Sequence, residues 1–475
     1  MFNVYAAGLS DFAGGNPKMG QSTLTGSCTK RRLIEPAAAP RRFGRSSLLV
    51  CRRTMLSFVL LVFAHISFSA PVYSQTTCSQ ADVQAAINAA KDGSTVSIPA
   101  GNCTWSSAVS WANKNIIVQG QGIGVTNITG GSAFSVTADS KAGFRITGMT
   151  LIYSDSSATL INIQNNTGTP TSGWRVDHVT INQTGSNGTG TGFQVIGMCW
   201  GLIDHLTWNN NGHSVQGISN YAYSNNADTA ADVGGTAWKQ PLDAGGPTAV
   251  YVEDSTFNFE SPGNPQIATG DAQMGGRMVW RHNVIHGAMS MTHAAWDSTR
   301  GQQKFEFYNN TVDSVNGTRP LLLRSGFNVV FNNTITGSWS LGKSIYIDNV
   351  RDVPSSGNQC NAGHTQCNGS QNYDDNGSGQ QGYLCEDQIG VGAGGLQHQS
   401  AQPSYFWNNT ISAVINGACD PTQVSGGIVH MVGGRDYFDD GTPMPGYTPY
   451  TYPHPLQNQT QTSVNPPTGL TAQVN

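Results

Sequence analysis

A short β pattern recurs along this chain, and its recurrence constrains the fold more than any other feature. One position of the pattern aligns across the copies as Thr150, Thr180, Thr207, Thr256, Val284, Thr311, Thr334 and Thr410. The copies lie 23 to 30 residues apart, except across insertions near 212–248 and 345–403. Each copy holds short strands and polar turns, and none holds a helical segment long enough for a crossover. A parallel β-helix fits this pattern, because each coil pairs with the next and buries an aliphatic stack.

Two polar columns adjoin the aligned position. The nearer column contains Asn283, Asn310, Asn333 and Asn409, and the column before it contains His178, His205, Asp254, His282, Asn309, Asn332 and Asn408. Asn tolerates left-handed turn conformations, and its amide can bond to the next coil. The columns therefore predict turns held by side-chain ladders. The Asp-His pairs at 177–178 and 204–205 fall in this turn, which favours a structural role over a catalytic one.

The N-terminal region resembles a secretion signal. An apolar run at 55–64 follows Arg52 and Arg53, and it is too short to span a membrane. We expect cleavage after Ser74, so that residues 1–74 comprise an over-extended N-terminus and a signal peptide. Either Met1 or Met55 would be the true start, and a twin-arginine signal is an alternative. The expected mature protein is a secreted monomer, extracellular or periplasmic, without a membrane span.

Three further segments follow the signal. Residues 79–91 have helical spacing, with Val83, Ile87 and Ala90 on one face. A short helix at this place would cap the open end of a β array, whose backbone groups would otherwise stay unpaired. We therefore predict an N-terminal cap over 75–115, a β-helix over 116–440 and a Pro/Thr-rich tail over 441–475.

Cysteine spacing suits an exported chain, in which disulfides persist. Cys78 with Cys103 is the best pair, since it would staple the first segment. Cys199 lies in the apolar stretch Gly-Met-Cys-Trp-Gly and is predicted to be a buried free thiol. Two more disulfides of open connectivity are expected among Cys360, Cys367, Cys385 and Cys419.

Charge restricts the class of ligand. Residues 1–74 hold 9 of the 24 basic and 2 of the 28 acidic residues, which leaves 15 against 26 and a net charge near −11. This balance argues against a nucleic-acid-binding surface. An acidic ligand would need a local basic patch, and six of the fifteen basic residues fall between Arg277 and Arg324.

The chain enters another strand after each turn, and charged residues end several of these strands. Asp271, His293 and Arg324 would stack on successive coils, roughly 5 Å apart per coil. The expected catalytic residues are Arg319, Arg324, His293 and Asp271. Candidate substrate-binding residues around them are Arg277, Asp297, Arg300 and Lys304.

Two chemistries fit such a groove, and both act on a polysaccharide. In β-elimination on a uronate, Arg or a bound Ca²⁺ neutralises the carboxylate, and a base removes the C5 proton. That base could be Arg in an unusual environment or His, whose ordinary pKa lies near neutrality. Glycoside hydrolysis needs two carboxylates about 5–9 Å apart, for which Asp271 and Asp297 are the candidates. The several arginines favour an acidic polysaccharide and elimination. A non-catalytic carbohydrate-binding or surface protein, with charges that only pair along a solvated face, is the remaining alternative.

The opening stretch from Cys78 to Cys103 resembles the N-terminal cap of the pectin-lyase-like superfamily. That resemblance implies a right-handed parallel β-helix over about 78–435. Leu-Ile-Asp-His at 202–205 and Arg-Pro-Leu-Leu-Leu-Arg-Ser-Gly at 319–326 are similar to motifs of family 1 pectate lyases.

The lyase resemblance implies roles for single residues. Arg319 would be the base, Arg324 would contact substrate, and Asp271 would bind a Ca²⁺ cofactor. His293 stands where that family has a lysine, the proline of the arginine motif is shifted by one place, and the second acidic Ca²⁺ ligand is not evident. Asp228, Asp232 and Asp243 are its candidate substitutes.

Overall fold

The recurring pattern forms the coils of a parallel β-helix, as predicted, with about nine turns. In this computed structural model each coil contributes strands to three faces. The backbone contacts divide the chain into Met1–Ile66 and Ser67–Asn475. Residues that the structure describes all lie in the second part: 71–155, 157–185, 190–212, 216–230, 232–259, 269–287, 291–293, 299–315, 317, 319–340, 343–347, 384, 387–394, 398–411, 414–416 and 431–458.

One large parallel sheet supplies two faces, because its coils turn sharply along one line. Three early strands run through this turn: Arg145–Tyr153, Thr171–Gln183 and Cys199–Asn209. Before the turn, the first face contains Val72–Ser74, Thr95–Ser97, Ile117–Gln119, Val250–Glu253, Arg277–Arg281, Lys304–Tyr308, Phe327–Phe331, Ser404–Trp407 and Tyr437–Phe438. After it, the second face contains Gly101–Thr104, Thr126–Gly130, Thr256–Phe259, Val284–Gly287, Thr311–Asp313 and Thr334–Ile335.

A separate parallel sheet forms the third face. Its strands are Val109–Ala112, Phe134–Thr137, Ile161–Gln164, Thr191–Ile196, Gln216–Tyr221, Gly270–Gln273, Met291–Thr292, Leu321–Leu323, Ile345–Ile347 and Val414–Asn416. The remaining elements are an antiparallel pair, Val391–Ala393 with Gln399–Ala401, the helices Gln80–Ala89 and Gly235–Trp238, and a 3-10 turn at Pro455–Asn458.

The predicted turn columns are confirmed. All seven members of the column that runs from His178 to Asn408 have φ between 51° and 58°, in the left-handed region. The Asn column forms a ladder: the backbone N–H of Asn283 donates to Asn310 Oδ1 at 3.0 Å, and that of Asn310 donates to Asn333 Oδ1 at 3.0 Å. Each coil therefore fixes the turn of its neighbour, and the faces stay in register.

Apolar side chains that alternate along the strands fill the interior. One inward column of the first face reads Val176, Ile203, Val252, Trp280, Phe307, Val330 and Phe406, and all seven are buried. Removing this much apolar surface from water is the dominant favourable contribution to folding. The interior thus carries stability, and the outer faces remain available for chemistry.

The N-terminal cap also agrees with prediction. The helix Gln80–Ala89 buries Val83 and Ile87, and the Ser79 side chain accepts from the backbone N–H of Asp82. Cys78 and Cys103 form a disulfide. Cys199 is a buried free thiol, and burial raises its pKa to about 12. Cys360, Cys367, Cys385 and Cys419 lie outside the described residues.

An ionic ladder runs along the outside of the first face. Arg145 pairs with Asp177 at 2.5 Å, Arg175 with Asp204 at 2.7 Å, and Arg281 with Glu253 at 2.5 Å; the three carboxylates are fully buried.

The tail segment 444–457 covers this ladder. Arg281 donates to the carbonyls of Tyr450 and Thr451, and the backbone N–H of His454 donates to Glu253. Of the tail expected at 441–475, residues 444–457 therefore lie against the first face, and residues beyond 458 are not described. No helix in the described ranges is long and apolar enough to cross a membrane.

Candidate active site on the third face

Strand alternation divides the side chains of the third face into two sets. Ile218, Ala272 and Leu323 point inward and belong to the core. Asp271 lies one residue before Ala272 and therefore points outward. In the next two coils, the chain leaves the strands at His293 and Arg324. His293 donates its backbone N–H to Ala272 O at 2.9 Å, and Arg324 donates its own to Thr292 Oγ1 at 2.8 Å. The structure thus places Asp271, His293 and Arg324 on one face of successive coils.

Asp271 and His293 form a directly bonded pair. His293 Nδ1 lies 2.8 Å from Asp271 Oδ1. The carboxylate is fully buried, whereas 26% of the imidazole side chain is exposed. With Nδ1 held by the carboxylate, the opposite nitrogen Nε2 is the one directed away from it. A buried carboxylate that bonds to one nitrogen of a partly exposed imidazole fixes the tautomer and the orientation of the ring.

Sequence reasoning missed two residues that complete this pair. Gln216 Nε2 donates a short hydrogen bond to Asp271 Oδ2, and the Tyr221 hydroxyl lies 3.3 Å from the same oxygen. Tyr221 also donates to Gln216 Oε1 at 2.9 Å. Burial and the nearby Asp271 charge raise the pKa of Tyr221, which keeps its hydroxyl protonated as a donor.

The register of the repeat is the sequence feature that could have identified Gln216 and Tyr221 as neighbours of Asp271. Their strand, Gln216–Tyr221, is the coil before Asp271, and Ser219 pairs with Asp271 in register. This strand contains no charged residue, so a search for charge alone passes over it.

Arg319 approaches the same face from the preceding loop. Its guanidinium carbon lies 5.7 Å from the ring centroid of Tyr346, which pairs with Leu322 in the adjacent coil. Arg319 and Arg324 are both half-buried. Two arginines therefore lie next to the coils of the Asp271–His293 pair, at a surface where a ligand could meet both.

Arg277 and Lys304 belong to a different part of the molecule. They pair in register on the first face and are buried beneath the insertion at 235–248. Arg277 donates to Gln303 and to backbone carbonyls of the insertion, and Lys304 Nζ donates to Asp243 O at 2.8 Å. Burial lowers the pKa of Arg277 to about 10 and that of Lys304 to about 8. These contacts anchor the insertion, and the structure does not bring either residue to the third face.

Arg300 is also engaged elsewhere. Its guanidinium bonds to the buried Asp387 at 2.6–3.0 Å, lies 3.4 Å from Asp232 and stacks on Trp238 at 4.6 Å. Only 2% of the residue is exposed. This buried pair ties the insertion to the later chain, so we leave Arg300 out of the candidate site. Asp297 lies outside the described residues.

The residues around Asp271 do not fit a Ca²⁺ site. Calcium takes about six to eight oxygen ligands, and both oxygens of Asp271 already accept from protein donors. Asp228 caps backbone N–H groups of the insertion, and Asp243 binds Thr248. Within the described ranges, no three His, Cys, Asp or Glu side chains form a metal-binding group.

No protein-family model matches the chain, and the searches of curated proteins and of solved structures also returned no match. The parallel β-helix is thus supported by the structure of the chain alone.

Proposed function

We propose that this chain is a secreted enzyme that cleaves a uronate-containing, pectin-like polysaccharide by β-elimination. The observation that carries the proposal is the Asp271–His293 pair, with a buried carboxylate, a partly exposed imidazole and arginine in the adjacent coil. Repeated coils give the face an elongated shape, which suits a polymer. The fold by itself supports no activity, because parallel β-helices host enzymes and non-enzymes alike.

In the proposed reaction His293 is the base. Its Nε2 takes the C5 proton of the uronate, while Nδ1 stays bonded to Asp271. The electron pair of the C5–H bond forms the C4=C5 double bond, and the glycosidic C4–O bond breaks. The leaving oxygen takes a proton from water, and His293 then returns its proton to solvent. Asp271 contributes by orienting the ring and stabilising the imidazolium.

Arg319 and Arg324 would bind the substrate carboxylate. A guanidinium can donate two parallel hydrogen bonds to a carboxylate, and it neutralises the charge that opposes loss of the C5 proton. The resemblance to pectate lyases assigned the base to Arg319. Its position against the Tyr346 ring instead suits a charged guanidinium, since cation–π attraction requires the protonated form. We therefore give His293 the role of base and both arginines the role of carboxylate binding.

Hydrolysis by paired carboxylates has less support. Asp271 is fully buried and accepts from Gln216, Tyr221 and His293. A carboxylate so enclosed is poorly placed to attack a sugar or to protonate a leaving group.

The proposal is tested by product analysis. The protein is incubated with polygalacturonate, alginate and a neutral β-glucan, each with and without a chelator. We expect ultraviolet absorbance from an unsaturated product on an acidic polymer only, and a rate about 10²-fold lower for Arg324→Ala. New reducing ends without that absorbance would support hydrolysis. Binding without cleavage would support the non-catalytic alternative and overturn the proposal.

A further inference from the structure

A second surface on the same coils has the features of a ligand site. An open groove of about 850 Å³ lies on the second face, around Asn209, Asn258, His286, Asp313, Val315 and Thr336. This volume falls within the range of small-ligand sites, about 300–1,000 Å³. The groove shares no lining residue with the Asp271–His293 site.

Polar side chains line this groove at one per coil. Asn209 Nδ2 donates to Asn182 Oδ1 at 2.8 Å, and Asn258 Nδ2 donates to Asn209 Oδ1 at 2.6 Å. The same register continues through His286 to Asp313. Neighbouring coils are about 4.8 Å apart, so the row offers hydrogen-bonding groups at a spacing comparable to one sugar unit of an extended chain.

The described lining of the groove favours a neutral ligand over an acidic one. Among the residues that the structure describes, its lining contains no Lys or Arg, and the ionisable residues there are His286 and Asp313. These two are paired, with His286 Nδ1 2.5 Å from Asp313 Oδ1, and their side chains are 37% and 39% exposed. Amides, imidazole and hydroxyls can all both donate and accept, as sugar hydroxyls do. Val315, which is 67% exposed, adds an apolar surface at the rim.

We propose that the groove on the second face is a binding site for a neutral oligosaccharide that runs from coil to coil, parallel to the axis of the β-helix. The row of Asn209, Asn258 and His286 would bind hydroxyls of successive sugars, and Val315 would contact a ring face. This site is independent of the proposed elimination reaction. It would hold the protein on neutral glycan beside an acidic polymer.

The test is calorimetric titration of the full chain with cellohexaose, xylohexaose and mannohexaose, with hexagalacturonate as the acidic comparator. We expect one of the neutral sugars to bind. Binding should weaken at least about tenfold in His286→Ala, because the imidazole that would bind a sugar hydroxyl is lost. Val315→Asp should weaken it as well, and this exposed position can change without disturbing the core.

The matched control is His178→Ala. His178 Nδ1 also bonds to an aspartate, Asp177, and its side chain is 53% exposed, but it lies on the turn column away from the groove. Binding should be unchanged in this variant and in His293→Ala. The proposal is overturned if no neutral sugar binds at millimolar concentration, or if His286→Ala and Val315→Asp both bind as the unaltered protein does.

Discussion

The first and third faces of the β-helix carry ionisable side chains in different ways. On the first face, the buried carboxylates Asp177, Asp204 and Glu253 each pair with an arginine. Asp177 and Asp204 also bond to imidazoles of the adjoining turn, and the tail segment 444–457 contacts Glu253. On the third face, the buried Asp271 pairs with an imidazole that is itself partly exposed.

The difference separates a structural use of charge from a chemical one. Two buried permanent charges neutralise each other and keep a fixed geometry, but neither can exchange a proton at the surface. A partly exposed imidazole can instead meet a ligand while the buried carboxylate holds it in place. The first face should therefore control stability, and the third face should control activity.

The largest expected effect is on the first face, in Arg281→Met. This change leaves Glu253 buried without its counter-charge, which costs about 3–5 kcal/mol in the free energy of unfolding. Urea denaturation measures the loss. The double variant Arg281→Met/Glu253→Gln should recover part of it, since the uncompensated charge is gone. A double variant that loses the sum of both single losses would contradict the paired role of these residues.

The next effect is a pH dependence that arises from His454 in the tail. Burial, together with Arg281 and Arg175, lowers the pKa of His454 to about 3. Its Nδ1 accepts from the backbone N–H of Leu456, which requires the neutral ring. Since the unfolded residue takes a proton near pH 6.5 and the folded one does not, stability falls as pH drops from about 6.5 towards 3, by up to about 1.4 kcal/mol per pH unit.

Urea titrations at pH 6.5, 5.5 and 4.5 test this slope against His454→Asn, which keeps an acceptor but cannot titrate. Burial raises the pKa of Glu253, which faces His454, so that Glu253 opposes the trend on acidification. Both proteins contain Glu253, so their difference isolates the histidine. If the free energy of unfolding changes equally with pH in both proteins, His454 is not the source of the pH dependence.

The smallest expected effect is on the third face, in Tyr221→Phe. The ring remains, but one donor to the Asp271 network is lost, at about 1 kcal/mol in the free energy of unfolding. Activity should fall more than stability suggests, because Asp271 then holds His293 less firmly. Parallel denaturation and rate measurements would sharpen the contrast between faces. An activity equal to that of the unaltered protein would remove Tyr221 from the site.

The fold could be predicted from the sequence because one repeat specifies it many times. A left-handed turn recurs along the coils, and an Asn ladder joins several of them. An error in aligning one copy of the repeat therefore does not change the predicted fold. The capping helix and the Cys78–Cys103 disulfide follow from equally local signals.

The candidate site could be predicted only in part. The sequence predicts that Asp271 and His293 lie near each other, as they do, since the register of successive strands follows from the repeat. Arg277, Arg300 and Lys304 fall in the same charged stretch, but they contact the insertion and Asp387, which are distant in sequence. Gln216 and Tyr221 are uncharged, and their role appears only when side-chain directions are known.

The most direct test of the central claim compares two exposed histidines that are each bonded to a buried aspartate. In His293→Ala, the rate of unsaturated product formation should fall about 10²–10⁴-fold, because the base is lost. His178→Ala removes an imidazole that is also bonded to a buried aspartate but lies in the turn column. This variant should keep the rate of the unaltered protein. If His293→Ala forms unsaturated product as fast as the unaltered protein, the third-face pair is not the catalytic centre.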